Sequence, residues 1–269
     1  MKNTLLRVAG AQMVSTRSVT ENLVTAERLI AEAAQEGAQL AALPEFFPVF
    51  GAGNKRLIAA AETFGAGRIQ DWARTTARRH GIWLIAGSLP LVGDTPTHIR
   101  NSALAFDPAG ECVARYDKIH LFAFARGVEH YDEAETIQPG EFPVAFATPF
   151  GRVGLAICYD LRFPELFRAL EQPDLIVLPA AFTETTGRAH WEILLRARAI
   201  ENQCWLLAVD QGGQHANRQH THGNSMVIDP WGEIRARRDK GTGLIMADLD
   251  PAHLVAARSA LPALEHRRL

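Results

Sequence analysis

The sequence has few cysteines and no long apolar run. Its 269 residues include three cysteines, Cys112, Cys158 and Cys204, which lie far apart and are odd in number. Such spacing fits neither a disulfide framework nor a paired-cysteine metal site. No apolar stretch reaches the roughly eighteen residues of a membrane helix, and residues 1–13 lack the apolar core of a signal peptide. We therefore expect a protein of a reducing compartment, the cytoplasm.

An excess of charge of either sign is also missing. Lys and Arg together number 28 and Asp and Glu 30, so the formal net charge at pH 7 is −2. Such a chain creates no overall field that would attract nucleic acid or an anionic membrane surface. Hydrophobic residues make up 47% of the sequence, which is enough for a sizeable core. The composition therefore favours a small-molecule partner.

Apolar runs alternate with helical patterns along the chain. Buried strands are predicted over residues 5–13, 40–43, 82–87, 153–158, 175–179 and 205–209. Helices are predicted over residues 19–35, 69–79 and 190–202. This alternation indicates α/β layering. Because no Gly/Ser-rich linker or block of charge divides the chain, we expect a single domain over residues 1–269.

One short pattern occurs twice. Residues 106–111 and 228–233 both read apolar-Asp-Pro-x-Gly-Glu. In each, Pro fixes φ and Gly tolerates a positive φ, which is typical of a turn between strands. We expect two hairpins in comparable places in two halves of the sheet system, the alternative being that Asp-Pro-x-Gly is simply a common turn.

Cys158 is the cysteine whose surroundings suggest chemistry. It closes an apolar run, and a helix is predicted to begin near Pro164 because Pro is favoured in a first helical turn. A thiol at this junction lies where α/β sheets bind ligands, close to a helix N-terminus that would lower its pKa. Cys112 and Cys204 occupy positions typical of small buried hydrophobic residues. That structural role is also the alternative for Cys158.

Two charged residues follow other strand-like runs. Glu45 comes after residues 40–43 among Pro and Phe, an apolar setting that raises the pKa of a carboxyl group toward that of a general base. Lys118 ends a further strand-like run. Together with Cys158 they would supply the nucleophile, the base and the cation for an oxyanion that acyl transfer needs. Each alone is more often an exposed surface charge.

Histidine offers two alternative sites. A base for a Cys-His arrangement could come from several positions, including His120, His130, His190 and His222. The cluster of His215, His220 and His222 suggests a metal, but its spacing matches no zinc motif and its neighbours are typical of a loop. We expect neither a metal nor any other cofactor.

Three separated motifs carry a family resemblance: Leu43-Pro44-Glu45, Tyr116-Asp117-Lys118-Ile119-His120-Leu121, and residues 154–165 around Cys158. In this order they resemble the nitrilase superfamily of carbon–nitrogen hydrolases and its Glu-Lys-Cys triad. The resemblance covers essentially the whole chain, from residues 9–13 to residues 229–233. It implies a four-layer αββα sandwich with two sheets packed face to face. It also implies a homodimer, or a higher homo-oligomer, paired through outer helices.

The same resemblance implies roles for individual residues. Glu45 would take the proton of Cys158, while Lys118 and the backbone N–H of Tyr159 would hold the oxyanion. Glu45 would then protonate the departing amine and activate the water that hydrolyses the thioester.

Further residues are implied less directly. The family has a second glutamate after the lysine, for which Glu133 is the best match and Glu135 a weaker one. A substrate carboxylate would need a cationic partner, for which Arg162, Arg126 and Arg188 are candidates. Arg162 has a structural salt bridge as its alternative role.

The motif at the nucleophile narrows the substrate. Cys158-Tyr159-Asp160 differs from the Cys-Trp-Glu of true nitrilases, so the resemblance favours an amide over a nitrile. The motif and residues 187–192 resemble the Nit branch, which contains deaminated-glutathione amidases and ω-amidases acting on 2-oxoglutaramate. Residues 211–215 and 223–232 look closer to the first group. Residues 122–131 match neither group and lie where specificity could be set.

Two other kinds of function compete with an amidase of this branch. One is a catalytically idle dimeric scaffold, against which the intact triad argues. The other is an acyltransferase, but no membrane segment accompanies the domain.

Overall fold

The computed structural model describes residues 5–127 and 129–268. The strands are β1 (Leu6–Gln12), β2 (Leu40–Ala42), β3 (Trp83–Ile85), β4 (Leu89–Val92), β5 (Ile99–Phe106), β6 (Cys112–Asp117), β7 (Ala123–Arg126), β8 (Glu129–Asp132), β9 (Val144–Thr148), β10 (Gly151–Leu155), β11 (Leu175–Ala180), β12 (Trp205–Asp210), β13 (Ser225–Ile228), β14 (Ile234–Arg238) and β15 (Gly243–Leu249). The helices are α1 (Val19–Gln35), α2 (Asn54–Ala59), α3 (Arg68–His80), α4 (Pro164–Ala169), α5 (Glu184–Asn202) and α6 (Pro251–Ala260). Residues 1–4, from the predicted N-terminal stretch, and residue 128, from the 122–131 loop, lie outside the described residues.

Two mixed sheets form the centre of the molecule. The first has the order β15-β1-β2-β3-β5-β4, with β6 also paired to β5, and the second has the order β14-β13-β12-β11-β10-β9. β7 and β8 form a separate hairpin. Strand β15 runs antiparallel to β1 over seven residue pairs, from Leu6 opposite Leu249 to Gln12 opposite Gly243. The last strand of the chain therefore completes the sheet that the first strand begins.

The burial pattern separates a central core from the outer layers. Val8 and Ala42 of the first sheet pack in one cluster with Val177 and Leu207 of the second, so this cluster fills the space between the sheets. Neighbouring strand residues such as Ala9 instead join a second cluster with α1 and α3. Helices α4 and α5 pack on the second sheet. The predicted four-layer αββα sandwich is confirmed.

The predicted elements agree with the observed ones in kind and differ in their ends. Helix α1 has the predicted bounds, with the Ser18 side chain accepting a hydrogen bond from the Glu21 N–H as its cap. Helix α5 begins six residues before the predicted residue 190, capped by Thr183. Strand β10 ends at Leu155 instead of reaching the predicted residue 158. The chain instead turns into a short 3₁₀ segment, Cys158–Arg162.

The repeated turn pattern forms two matching hairpins, one in each sheet. In the first, β5 and β6 enclose Asp107, whose Oδ1 accepts hydrogen bonds from the N–H groups of Ala109 and Glu111. In the second, β13 and β14 enclose Asp229, whose Oδ1 accepts from Trp231 and Glu233. Both ladders also carry a register shift just before the turn. The two halves of the fold therefore share this local structure.

The two turn aspartates give a matched test of stability. Asp229 is fully buried, whereas Asp107 is partly exposed. We predict that Asp229→Ala lowers the free energy of unfolding by about 1–3 kcal/mol, because the N–H groups of Trp231 and Glu233 lose their buried acceptor. Asp107→Ala should cost less, since water can replace the lost acceptor. Urea unfolding followed by circular dichroism measures both, and a larger loss for Asp107→Ala would contradict the argument.

Candidate active site

Lys118 lies between two carboxylates in the interior. Its side chain is completely buried just after β6, with Nζ 2.9 Å from Glu45 Oε1 and 2.9 Å from Glu133 Oε1. Burial alone would disfavour the charged amine, but the charges of Glu133 and Glu45 outweigh it and raise the pKa of Lys118 well above its ordinary value. Lys118 is therefore a permanent buried cation and not an exposed surface charge.

Glu45 is fixed by donors from both sheets. Its Oε1 accepts a hydrogen bond from Asn101 Nδ2 at 2.8 Å in addition to that from Lys118, and its Oε2 accepts from the Ala181 backbone N–H at 2.8 Å. Asn101 belongs to β5 of the first sheet, and Ala181 directly follows β11 of the second. The carboxylate therefore has one orientation, which both sheets determine.

The backbone beside Glu45 is also constrained. Phe46 has a φ of 48°, in the left-handed region that few non-glycine residues adopt, and its N–H donates to Ser88 Oγ at 3.0 Å. Gly87 is required at the facing turn, because a Cβ there would lie 2.1 Å from the Pro44 carbonyl oxygen. The backbone next to Glu45 is therefore held in an uncommon conformation by its neighbours.

Cys158 occupies a sharp turn after β10. Its φ of 48° is also left-handed, which points the thiol away from the strand axis. Burial, and then the charge of Glu45, raise the pKa of Cys158 well above its ordinary value, although Lys118 acts in the opposite sense. Helix α4 begins at Pro164 as predicted, but the expectation that its N-terminus would lower this pKa is wrong, because the thiol is buried beside Glu45.

Asp160 connects the turn at Cys158 to the segment of chain that contains Lys118. Its fully buried Oδ2 accepts from the Tyr116 hydroxyl at 2.7 Å and from the Ile157 N–H at 2.8 Å. Its Oδ1 accepts from the His120 N–H at 3.1 Å and lies 2.8 Å from His120 Nδ1. The Tyr-Asp-Lys-x-His and Cys-Tyr-Asp motifs are therefore parts of one hydrogen-bonded unit.

Of the two candidate glutamates, Glu133 and not Glu135 contacts Lys118 within the described residues. Glu133 contacts Lys118, and its Oε2 also accepts from the Phe122 N–H at 2.7 Å. Burial raises the pKa of Glu133, and the charge of Lys118 acts against that rise. Glu135 lies elsewhere on the same pocket, 3.5 Å from Asn54 Nδ2.

One pocket of about 360 Å³ brings these groups together. Glu45, Glu133 and Cys158 line it, and the segment 122–131, where specificity is expected to be set, contributes Phe122 and Tyr131. A smaller crevice next to Cys158 is lined by residues that include Tyr159, Phe182 and Thr186. Within the described part of the chain, the backbone N–H of Tyr159 donates no hydrogen bond to another residue. The thiol therefore lines the same pocket as two carboxylates.

The three candidate arginines do not line this pocket. Arg162 Nη1 is 3.2 Å from His190 Nδ1, and its guanidinium packs over the rings of Tyr159 and Phe182 at the wall of the crevice. Arg188 pairs with Glu184 on the surface, and Arg126 lies in β7 with an exposed side chain. Arg162 is thus the candidate nearest to the thiol.

The histidine alternatives lack the required geometry. No histidine in the described ranges hydrogen-bonds Cys158, and His120 is held by Asp160. His215 is buried with Nδ1 3.0 Å from the Ser15 carbonyl oxygen and Nε2 2.8 Å from Thr221 Oγ1. Across residues 5–127 and 129–268, no cluster of three or more His, Cys, Asp or Glu residues is arranged to hold a metal ion.

Two groups that position Glu45 were not predicted from the sequence. Asn101 is a fully buried amide in the otherwise largely apolar strand β5, and that contrast could have drawn attention to it. The Ala181 N–H has no sequence signature, because any residue other than proline would supply it.

Comparison with known proteins gives consistent results. The family model described as "Carbon-nitrogen hydrolase" matches residues 7–259. A Yersinia enterocolitica protein named deaminated glutathione amidase is 41% identical over all of this chain and 94% of its own length. The structure of Saccharomyces cerevisiae Nit3, a member of branch 10 of the nitrilase superfamily, superposes with a TM-score of 0.87 at 29% identity, covering 98% of this chain and 97% of that one. An amidase variant from Nesterenkonia sp. AN1, solved after Michael addition of acrylamide at its active-site cysteine, has a TM-score of 0.80 at 28% identity. The match covers 97% of this chain and 99% of that one.

Lys118 gives the first test of the site. We predict that Lys118→Met lowers kcat by roughly a hundred- to a thousandfold, the usual effect of losing one oxyanion donor, and changes KM much less. Lys118→Arg should also be poor, because a planar guanidinium does not replace a compact ammonium between two carboxylates. Steady-state kinetics with circular dichroism to check folding measures this. A folded Lys118→Met enzyme with normal kcat would exclude Lys118 from the reaction.

Glu133 gives a second test, based on charge. Its negative charge is one cause of the raised pKa of Cys158, so Glu133→Gln should shift the thiol's ionisation to lower pH. The same change should lower turnover, because Lys118 loses one of its two carboxylates. The rate of iodoacetamide alkylation at Cys158, followed by peptide mass spectrometry from neutral to alkaline pH, measures the shift. A rate–pH curve that is unchanged or moves to higher pH would contradict it.

Proposed function

Because this chain belongs to the carbon–nitrogen hydrolase family, we propose that its pocket hydrolyses the amide bond of deaminated glutathione through a thioester on Cys158. The chain is an amidase of that family. The observation that carries the finer proposal is that Glu45, Glu133 and Cys158 line one pocket, with the buried Lys118 ammonium bonded to both carboxylates behind its wall. The relatives named deaminated glutathione amidase support the choice of substrate.

In the first half-reaction Cys158 attacks the amide carbon as its proton passes to Glu45. Because the pKa of the thiol is raised, transfer of its proton to Glu45 during attack avoids a free buried thiolate. The carbonyl oxygen becomes an oxyanion, held by the Lys118 ammonium and the Tyr159 N–H. Glu45 then gives its proton to the nitrogen, the C–N bond breaks, and the free amine leaves a thioester on sulfur.

In the second half-reaction water replaces the amine. Glu45 takes one proton from the water as its oxygen attacks the thioester carbon, and the same cation and N–H hold the oxyanion. The C–S bond breaks, the carboxylic acid departs, and the proton on Glu45 returns to Cys158. Glu133 is a positioning residue, because it contacts Lys118 and not the reacting carbon.

The assembly and compartment are part of the proposal. Helix α5 and the following hairpin expose Ile193, Ile200 and Trp231, which are 70%, 47% and 55% accessible in the single chain. An apolar surface of this kind supports a homodimer. The three cysteines are free thiols, which supports a reducing cytoplasm. No helix in the described residues has the length and apolar character needed to cross a membrane.

The test compares kcat/KM for deaminated glutathione, 2-oxoglutaramate, a simple aliphatic amide and a nitrile. Deaminated glutathione should exceed each of the others by at least about tenfold, equivalent to ~1.4 kcal/mol of transition-state binding. Cys158→Ala should abolish turnover and remain folded, and Cys204→Ala provides a matched control at a thiol outside the pocket.

Other outcomes would replace the proposal with a different one. If kcat/KM were highest for 2-oxoglutaramate, the protein would be an ω-amidase. If it were highest for a nitrile, the protein would be a nitrilase. Transfer of the acyl group to an added amine in preference to water would make it an acyltransferase. A folded protein that hydrolyses none of these compounds would favour the idle scaffold.

A further inference from the structure

Two loops form the wall of the pocket beyond the catalytic groups. One consists of residues 49–54, which follow Glu45 along the chain, and the other includes Asn217 and Gln219. The loops touch at Gly51, where an added Cβ would lie 3.1 Å from Asn217 Oδ1. The ring of Phe50 also packs against that of His215, with centroids 4.3 Å apart. The wall therefore depends on how the two loops fit together.

Arg17 connects these loops from outside the pocket. Its Nε donates to the Gly51 carbonyl oxygen at 2.9 Å, and its Nη2 donates to the Ala216 carbonyl oxygen at 3.1 Å. No carboxylate among the described residues forms an ion pair with Arg17, so both bonds of this exposed guanidinium go to loop backbones. Two donors in a rigid plane hold two acceptors at a fixed separation, whereas the donors of an ammonium rotate on a flexible stem.

The reaction mechanism determines which part of a substrate contacts this wall. The nitrogen that leaves must face Glu45, which protonates it, and both Glu45 and Glu133 line the large pocket. The crevice on the Tyr159 side of the thiol contains neither carboxylate. The space beyond the two carboxylates, bounded by the two loops, is therefore on the side of the departing amine.

We propose that the two loops form a subsite for the amine portion of a secondary amide, and that Arg17 is the residue that positions this subsite. The proposal rests on the amidase function proposed above and specifies which substrates that site prefers. An ammonia leaving group needs no such wall, whereas a peptide-like amine would fill it.

The lining suits a peptide group. Asn54, Asn217 and Gln219 present neutral amide side chains, which can both donate to and accept from a peptide bond. No lysine or arginine is among the described residues that line this pocket. Asp132 and Glu135 also line the pocket, so its charged groups are acidic. The neutral amides would thus recognise the amide groups of the leaving amine.

The experiment uses two substrates that share one acyl group. Deaminated glutathione and 2-oxoglutaramate both transfer a 2-oxoglutaryl group to Cys158, but the first releases a dipeptide and the second ammonia. For Arg17→Gln we expect the ratio of their kcat/KM values to fall roughly five- to tenfold against wild type, because the two loops lose the guanidinium that joins them. The loss should appear in KM for deaminated glutathione. Arg17→Lys should fall in between, and Arg28→Gln, on the exposed face of α1, is the matched control.

The possible results are distinguishable. An equal loss on both substrates would overturn the inference, because it would mean that the loops hold the acyl group or that Arg17 only stabilises the fold. An unchanged ratio would overturn it too. If wild-type protein hydrolysed neither substrate, the proposed function itself would have failed, and the comparison of secondary with primary amides would be repeated on the best amide found.

Discussion

The buried Lys118 ammonium is the interaction on which the rest of the site depends. A cation without solvent contact costs several kcal/mol unless charge and hydrogen bonds compensate for it. Here the compensation comes from Glu45 and Glu133, each 2.9 Å from Nζ. Holding two carboxylates on one amine in turn needs Asn101 and the Ala181 N–H to orient Glu45. Much of the surrounding structure can be understood as the support that keeps this cation in place.

The charge balance of this group explains the behaviour of the thiol. With both glutamates ionised, the cation and the two carboxylates sum to −1, so a thiolate beside them would be a further uncompensated negative charge. Burial and Glu45 therefore keep Cys158 protonated in the resting enzyme. A neutral thiol is a poor target for chance oxidants and alkylating agents. The sulfur becomes most nucleophilic when a substrate carbonyl is present to receive the negative charge as it develops.

Much of this could be predicted from the sequence, and the misses have physical causes. Local patterns and motifs determine several features, so these could be recognised in the sequence alone. They are the strand runs, helix α1, the repeated Asp-Pro-x-Gly turns and the Glu-Lys-Cys order. The burial of Lys118 and the pKa of Cys158 depend on how strands distant in sequence meet, which local pattern does not contain. Asn101 and the Ala181 N–H act across more than fifty residues of chain, and a backbone N–H has no residue type to mark it. The arginine candidates were chosen for charge alone, and charge does not indicate which way a side chain points.

The pairing of β1 with β15 has a consequence for how the chain folds during its synthesis. Seven residue pairs join the first strand to the last, and Gln12 also accepts from Ser225 far along the chain. A nascent polypeptide on the ribosome therefore has an incomplete first sheet until almost all of it has emerged, and contacts of such long range are slow to form. Glu45 and Lys118 are translated early, but Ala181, whose N–H binds Glu45, and the closing strand come late. The catalytic centre is expected to assemble as one late event, after synthesis has passed Leu249.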